Sequence, residues 1–190
     1  MNILSIILKY VTIIALGLAI LSIDSLENVN KTFTITTIVL IAIGKAAYFM
    51  IFSFRKIIEV SLKNTPYHRF LAFMATHVAL VILSFGIDFF CLNEVDSSSF
   101  KGINHTLTIA ERFFDFTYYS VLAFTNFGYD QISPRNISAK FLMSIELIIS
   151  FATIIFILSD FISLKESLSS STFAQKLRSN KQDQPNTKEQ

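Results

Sequence analysis

A short polar stretch lies between two apolar segments of this chain, at residues 124–134, FTNFGYDQISP. It combines residues typical of turns, Gly128 and Pro134, with polar side chains such as Asn126 and Asp130. Irregular backbone survives at membrane depth only where it is buried in protein or lines a water-filled cavity, because lipid cannot satisfy its N–H and C=O groups. These residues therefore indicate a path for something polar through an apolar protein.

Charged residues also lie inside apolar segments, among them Lys45, Asp88 and Glu146. A charge in the middle of a membrane is expensive and requires a partner. We expect Lys45 to form a structural ion pair with a carboxylate, either Asp88 or Glu146. We further expect Glu146 to lie behind the polar stretch and to hydrogen-bond the short helix that precedes it.

The other reactive residue types indicate neither a catalytic centre nor a metal site. His68, His77 and His105 have no partner at ligand spacing, and Cys91 is the single cysteine. The sequence contains no evident nucleophile–base pair and no glycine-rich phosphate loop. We therefore expect a protein that is not an enzyme and that carries no cofactor.

Composition indicates a membrane protein. Of 190 residues, 52% are hydrophobic and 16% are charged, against about a quarter charged in soluble domains. The mean hydropathy is +0.54. The net charge of +2, without a basic patch, argues against a nucleic-acid partner and leaves the lipid bilayer as the expected environment.

Four segments are long and apolar enough to cross a bilayer core of about 30 Å. They are residues 3–23, 33–54, 70–92 and 137–164. A further apolar run at residues 109–124 has 16 residues, or about 24 Å of helix. A helix of that length enters a membrane without crossing it.

This short run has a helix start signal of its own. The sequence TIAE, from Thr108 to Glu111, matches a capping box, although S/T-x-x-E also occurs by chance. The helical pattern ends at Thr125 and Asn126, where polar residues begin. A half-length helix, a polar loop and a full span together predict a re-entrant hairpin.

Basic residues predict the orientation. Lys and Arg concentrate between the second and third spans and in the tail after Leu164, so we expect both to be cytoplasmic. This predicts a multi-pass protein of the cell membrane with both termini inside. Its domains would be peripheral helices at residues 1–69, a pore domain at 70–164 and a cytoplasmic tail at 165–190 that frays into disorder.

The hairpin resembles a known family. Residues 114–151, FDFTYYSVLAFTNFGYDQISPRNISAKFLMSIELIISF, are similar to the pore region of the two-helix potassium-channel superfamily of the bacterial ion-channel type. In that family a pore helix with two aromatic residues and Ser leads into T-T-V-G-Y-G-D-I-x-P and then the inner helix. The resemblance covers roughly residues 70–164.

The resemblance implies an ion-selectivity filter in which TNFGYD stands in place of TTVGYG. In that family, four copies of the filter direct backbone carbonyls at a dehydrated cation. Asn126 replaces the second Thr and Asp130 replaces the second Gly, so four Asp130 carboxylates would ring the mouth of the pore. The implied filter residues are Thr125, Asn126, Phe127, Gly128, Tyr129 and Asp130.

The resemblance also implies supporting residues outside the filter. Tyr118 and Tyr119 match the aromatic pair of the pore helix. Glu146 matches an acidic residue found in the inner helices of some members, and we expect it to support the filter. Ser150 falls where the family usually has a hinge glycine.

We therefore predict an all-α membrane protein with four transmembrane helices and a re-entrant pore helix and filter loop between the third and fourth. It would assemble as a homotetramer and conduct potassium or mixed monovalent cations passively, with these cations as permeant ions. One alternative is a non-conducting or regulatory pore-like subunit of a heteromeric channel, which the changes at Asn126 and Asp130 motivate. Another is a four-helix membrane scaffold in which residues 113–134 form a surface loop.

Overall fold

The computed structural model describes Thr12 and residues 30–62, 67–128 and 131–182. The chain divides into two compact units, residues 1–153 and residues 154–190, and the described part of the second unit is helical throughout. The elements in the described ranges, in chain order, are helix α1 Lys31–Leu62, helix α2 Tyr67–Val95, strand β1 Phe100–Lys101, helix α3 Ile109–Phe124, strand β2 Ser133–Pro134 and helix α4 Ile137–Gln182.

Three helices of the described residues are long and apolar enough to cross a membrane. The segments are Lys31–Ile51, Leu71–Val95 and Ile137–Ser159. They coincide with the second, third and fourth predicted spans, which supports a membrane location. The first predicted span, residues 3–23, lies outside the described residues apart from Thr12.

Helix α1 buries one stripe and exposes another, and both are apolar. Its buried residues recur every three or four positions, as expected for one face of a helix. Leu40 and Tyr48 on the other side are exposed. A helix that is apolar all round matches a lipid environment. The buried stripe consists of Thr34, Ile38, Ala42, Ala46 and Phe49.

A buried ion pair joins α1 to α2. Lys45 Nζ lies 2.6 Å from Asp88 Oδ1, and the two side chains are 12% and 1% exposed. The structure therefore selects Asp88, and not Glu146, as the partner of Lys45. Removing one member of a buried pair typically costs about 3–5 kcal/mol, because the other charge is left without compensation.

An aromatic cluster packs α3 against α2 and β1. The ring of Tyr119 lies 5.2 Å from that of Phe89 and 5.9 Å from that of Phe100. Phe100 in turn contacts Phe116 at 5.0 Å, edge to face. Edge-to-face pairs of this kind add about 0.5–1.5 kcal/mol each beyond their buried area. The short helix is therefore held by the ring of Phe89 on α2 and the ring of Phe100 on β1.

Helix α4 continues to Gln182, through residues for which the sequence predicts a frayed tail. The helix contains neither Gly nor Pro from Ile137 to Gln182. Good helix formers such as Leu, Lys, Glu, Ala and Gln recur along residues 164–182, and these favour continuation of a helix once it has started.

Candidate functional site

The short helix α3 begins with the capping box that the sequence predicts. Thr108 Oγ1 accepts a hydrogen bond from the Glu111 backbone N–H at 3.3 Å, and the Glu111 carboxylate accepts one from the Thr108 backbone N–H at 2.8 Å. Hydrogen bonds from the backbone and the hydroxyl of Thr108 lower the pKa of Glu111. This reciprocal pair satisfies N–H groups that the first turn otherwise leaves free, and it sets where α3 begins.

The other end of α3 closes by turning the backbone left-handed. Asn126 has φ +56°. Its N–H donates to the Ala123 carbonyl at 3.1 Å, and the N–H of Phe127 donates to the Leu122 carbonyl at 3.0 Å. This pair of hydrogen bonds is a Schellman motif, in which Asn is one of the few residues other than Gly that accept the left-handed position. The helix therefore stops at Phe124, after 16 residues.

Residues 125–128, which we call the proximal segment, lead away from this motif. Gly128 has φ +70°, so left-handed residues stand at alternate positions, Asn126 and Gly128. Phe127 between them is 85% exposed. Most residues with a Cβ resist left-handed angles, and Asn is one of the exceptions.

Residues 131–134, which we call the distal segment, are fastened to the connection between α2 and α3. Strands β1 and β2 pair antiparallel, with Phe100 opposite Pro134. Just beyond, the N–H of Arg135 donates to the Ser99 carbonyl at 2.8 Å. The backbone of the distal segment is thus held by residues about thirty positions earlier in the chain.

Gly102 permits this close approach. It has φ +91°, and a Cβ added to it would lie 1.5 Å from the carbonyl oxygen of Gln131. Any other residue would strain the backbone at Gly102 and would also displace the start of the distal segment. Gly102 therefore fixes where the loop emerges.

A polar cluster ties the start of α4 to the same connection. Asn136 Oδ1 accepts from the Ala139 N–H at 2.8 Å, which caps α4. Its Nδ2 donates to Ser99 Oγ at 2.9 Å and to Asp96 Oδ2 at 3.2 Å. Lys31 Nζ, at the start of α1, donates to the other oxygen of Asp96 at 2.9 Å. One carboxylate therefore joins α1 to α4.

The Asp96 carboxylate stays ionised over the physiological range. Burial by itself raises the pKa of Asp96, but hydrogen bonds from Lys31 and Ser98 outweigh this effect and lower the pKa to about 2. The cluster is therefore a fixed charged contact at neutral pH.

Side chains of α4 hold the second half of α3. Ser120 Oγ contacts Glu146 Oε1, and Ser150 Oγ donates to the Phe124 carbonyl. We call these two contacts the α3–α4 seam. The contact between Glu146 and α3 is the one that the sequence predicts, while its role in supporting a filter stays a prediction.

The other predicted support residues occupy different surroundings. Tyr119 is buried, and its hydroxyl lies 3.0 Å from Met143 Sδ. Tyr118, its neighbour, is 44% exposed in the single chain. Ser150 lies within continuous helix and contacts α3, and its role as a hinge stays a prediction.

An open cavity of about 250 Å³ lies behind the proximal segment. It is bounded by Tyr119 of α3, Met143 of α4 and Pro134 of the distal segment, with Asn126 and Gly128 on its remaining side. The proximal segment is therefore not packed against α4 within one chain.

The described residues bring together four of the six predicted filter positions. Thr125, Asn126, Phe127 and Gly128 are all exposed. Tyr129 and Asp130 lie outside the described residues, so the predicted carboxylate ring stays a prediction.

No group of three or more His, Cys, Asp or Glu side chains in the described ranges is placed to hold a metal ion. His77 is buried on α2, with its ring 5.6 Å from that of Phe49 and 6.2 Å from that of Phe73. Cys91 is also buried. Both residues therefore belong to the apolar packing of the helices.

Sequence reasoning missed three features of this site. The left-handed conformation of Asn126 had a signal, because Asn is several-fold enriched at such positions. The contacts of Gly102 with Gln131 and of Ser150 with Phe124 join residues 29 and 26 positions apart. No local pattern signals contacts of that kind.

The part of the chain that contains this site also matches a known protein family. The family model described as ion channel matches residues 76–166. That range contains most of α2, all of α3 and its loop, and the apolar part of α4. No similar curated protein and no similar solved structure was found.

Proposed function

We propose that this chain forms a cation channel, and the match of residues 76–166 to the family model described as ion channel supports this proposal. Potassium or mixed monovalent cations pass down their electrochemical gradient through a central pathway, without enzymatic chemistry. The pathway is lined by residues 125–130. Four copies surround it, each contributing one loop.

The single observation that carries this proposal is the half-length helix that ends in a left-handed loop. Helix α3 has 16 residues, capped at both ends, and at about 24 Å it cannot cross a bilayer core of about 30 Å. The carbonyl end of a helix carries a partial negative charge that favours cations. In this chain that end is Phe124, and the proximal segment follows it directly.

The backbone of the proximal segment suits a row of carbonyl ligands. Left-handed angles at Asn126 and Gly128 alternate with Phe127 between them. In potassium channels the carbonyls of such a strand replace the hydration shell of the ion. We propose the same role here, with the side chain of Asp130 adding negative charge at the mouth.

The exposed surfaces support an assembly of several copies. Phe127 is 85% exposed, and its neighbours Asn126 and Gly128 line an open cavity. Phe141, Ile148 and Phe151 of α4 are also exposed. We propose that these side chains meet neighbouring copies in a homotetramer embedded in the cell membrane, with both termini cytoplasmic and the loop on the outer side.

The first experiment measures reversal potentials of the purified chain in planar bilayers, with potassium against sodium. We expect a cation current with a preference for potassium. An Asp130→Gly variant, which restores the family residue, should sharpen that preference. Absence of current from both folded tetramers would overturn conduction and would leave the non-conducting subunit as the interpretation.

A matched pair of glycine variants tests whether the loop lines the pathway. A Cβ would meet nothing within 4 Å at either Gly44 or Gly128, but Gly128 alone has a positive φ. Gly128→Ala therefore places about 1–2 kcal/mol of backbone strain in the proposed filter, while Gly44→Ala does not. We expect reduced current only in Gly128→Ala. Equal currents in the two variants would contradict a pathway through this loop.

A further inference from the structure

The hydroxyl of Ser120 joins three helices at one point. Ser120 Oγ lies 2.9 Å from the backbone carbonyl oxygen of Ile82, on α2. The same oxygen contacts Glu146 Oε1, on α4. Ser120 and Glu146 are fully buried, with no exposed surface. Here a side chain of α3 contacts both α2 and α4.

Ser120 carries a single hydrogen atom for these two contacts. A hydroxyl has a single O–H donor and two acceptor lone pairs. The carbonyl of Ile82 has no hydrogen to contribute. If the hydroxyl donates to Ile82, the contact with Glu146 is a hydrogen bond only when Glu146 supplies the proton.

The surroundings of the second carboxyl oxygen agree with this count. Glu146 Oε2 is buried and has no hydrogen-bond partner among the described residues. An ionised carboxylate with a buried, unpaired oxygen is much more costly than a neutral carboxyl group in the same place. Asp88 also has a buried oxygen without a hydrogen-bond partner, Oδ2, but its Oδ1 lies 2.6 Å from the Lys45 ammonium, whereas Glu146 Oε1 contacts a neutral hydroxyl.

We propose that Glu146 is a proton-bearing positioning residue, which donates its hydrogen bond to Ser120 and thereby sets the position of the last turn of α3. Ser150 forms the second contact of the α3–α4 seam one turn further along α4, where its hydroxyl donates to the carbonyl of Phe124. Glu146 and Ser150 are four residues apart, as are Ser120 and Phe124. The two contacts are therefore separated by about one helical turn on both α3 and α4.

This turn leads directly into the proximal segment. The carbonyl of Phe124 belongs to the last residue of α3, and Asn126 and Phe127 follow in the Schellman motif. Movement of the last turn therefore moves the backbone that begins the proposed filter. The consequence for ion preference rests on the proposed function, whereas the proton on Glu146 does not.

Infrared spectroscopy of the folded chain in lipid tests the proton without any current. A protonated carboxyl group has a carbonyl band that is separate from the bands of a carboxylate. At neutral pH we expect this band in the natural chain and in Asp88→Asn, and its loss in Glu146→Gln. A band that persists in Glu146→Gln, or no such band in the natural chain, would overturn the assignment.

Amide hydrogen exchange tests the positioning role, again without any current. The N–H groups of Asn126 and Phe127 report the closure of α3. Glu146→Gln keeps a donor for Ser120, so exchange should stay near that of the natural chain. Glu146→Leu removes the donor and should speed exchange at both groups by about tenfold, equivalent to about 1.4 kcal/mol. Equal exchange in the two variants would overturn the role.

A pair of serine variants protects the test if Glu146→Leu does not fold. Ser150→Ala removes the contact with Phe124, whereas Ser144→Ala removes only a local bond to the Lys140 carbonyl on the exposed side of α4. We expect faster exchange at Asn126 and Phe127 in Ser150→Ala alone. Equal exchange in the two serine variants would contradict the seam.

Ion preference is the functional measurement that tests the effect of the α3–α4 seam. If the natural chain conducts, Glu146→Leu should lower its potassium-to-sodium preference and Glu146→Gln should restore it. A conducting Glu146→Leu with unchanged preference would overturn the link to the filter. If the natural chain passes no current while the infrared and exchange results appear as expected, the proposed function fails and the assignment of Glu146 stands.

Discussion

The two segments of the loop contrast in how one chain holds them. The distal segment is paired with β1, and Gly102 approaches it so closely that an added Cβ would lie 1.5 Å from the Gln131 carbonyl oxygen. At Gly128, in the proximal segment, an added Cβ would meet nothing within 4 Å. Both glycines have a positive φ. The same residue type in a similar backbone conformation thus serves two different surroundings.

This contrast shows which part of the loop a single chain determines. The distal segment has its hydrogen-bond partners and its packing within the chain. The proximal segment has an open cavity behind it and an exposed Phe127. The proximal segment is fixed where it leaves α3, but it is not packed on its other sides. This fits the proposal that neighbouring copies pack against it.

The largest effect is expected from Gly102→Ala. The variant strains a left-handed backbone, at about 1–2 kcal/mol, and also forces the Gln131 carbonyl to move. We expect the free energy of unfolding to fall by more than about 2 kcal/mol, measured by thermal unfolding in detergent. Gly44→Ala, in an open helical position, should be neutral or slightly stabilising. Equal melting temperatures for the two variants would remove the contrast between the segments.

The next effect is expected from replacing Asn126 by the residue of the resembling family. Thr is β-branched and resists the left-handed position, so Asn126→Thr should destabilise the closure of α3 by about 1–2 kcal/mol. Asn126→Gly should be tolerated, because Gly accepts φ +56°. Amide exchange at Phe127 measures the difference. Slower exchange in the Thr variant would show that Asn126 is not held left-handed in solution.

A smaller effect is expected at the far end of α3. Thr108→Ala removes the capping box and should lower the free energy of unfolding by about 1 kcal/mol. The cap is remote from both loop segments, so amide exchange at Phe127 should follow only the global change. A local acceleration at Phe127, beyond the global one, would mean that the start of α3 also sets its end.

The smallest effect is expected from acid. The pKa of Asp96 is lowered to about 2 in the folded chain, so its contact with Lys31 stabilises the fold above the ordinary pKa of Asp, near 3.8. That stabilisation is lost as the pH falls toward 2. Lys31 is 58% exposed, so solvent screens the pair and the loss should stay below about 1 kcal/mol.

Comparing the natural chain with Lys31→Ala between pH 5 and 2 isolates this contribution, since the variant lacks the pair at every pH. The difference in unfolding free energy between the two proteins should shrink as the pH falls. A difference that stays constant would show that Asp96 does not titrate with this contact.

Local signals in the sequence predicted several elements of this protein. Apolar runs of sufficient length predicted the spans that α1, α2 and α4 contain, and the TIAE pattern predicted the start of α3, since a cap depends on residues only three apart. The same reasoning predicted a carboxylate partner for Lys45 but left two candidates. Periodicity places each residue on its helix without placing one helix against another.

Only the tertiary structure decided how the elements meet. It paired Lys45 with Asp88, and it identified Ser120 as the residue of α3 that Glu146 contacts. It also placed Gly102 against Gln131. Each of these contacts joins residues 26 or more positions apart, so it depends on how the helices pack. A periodic pattern does not predict that packing, because it shows which face of one helix is buried and not which other helix covers that face.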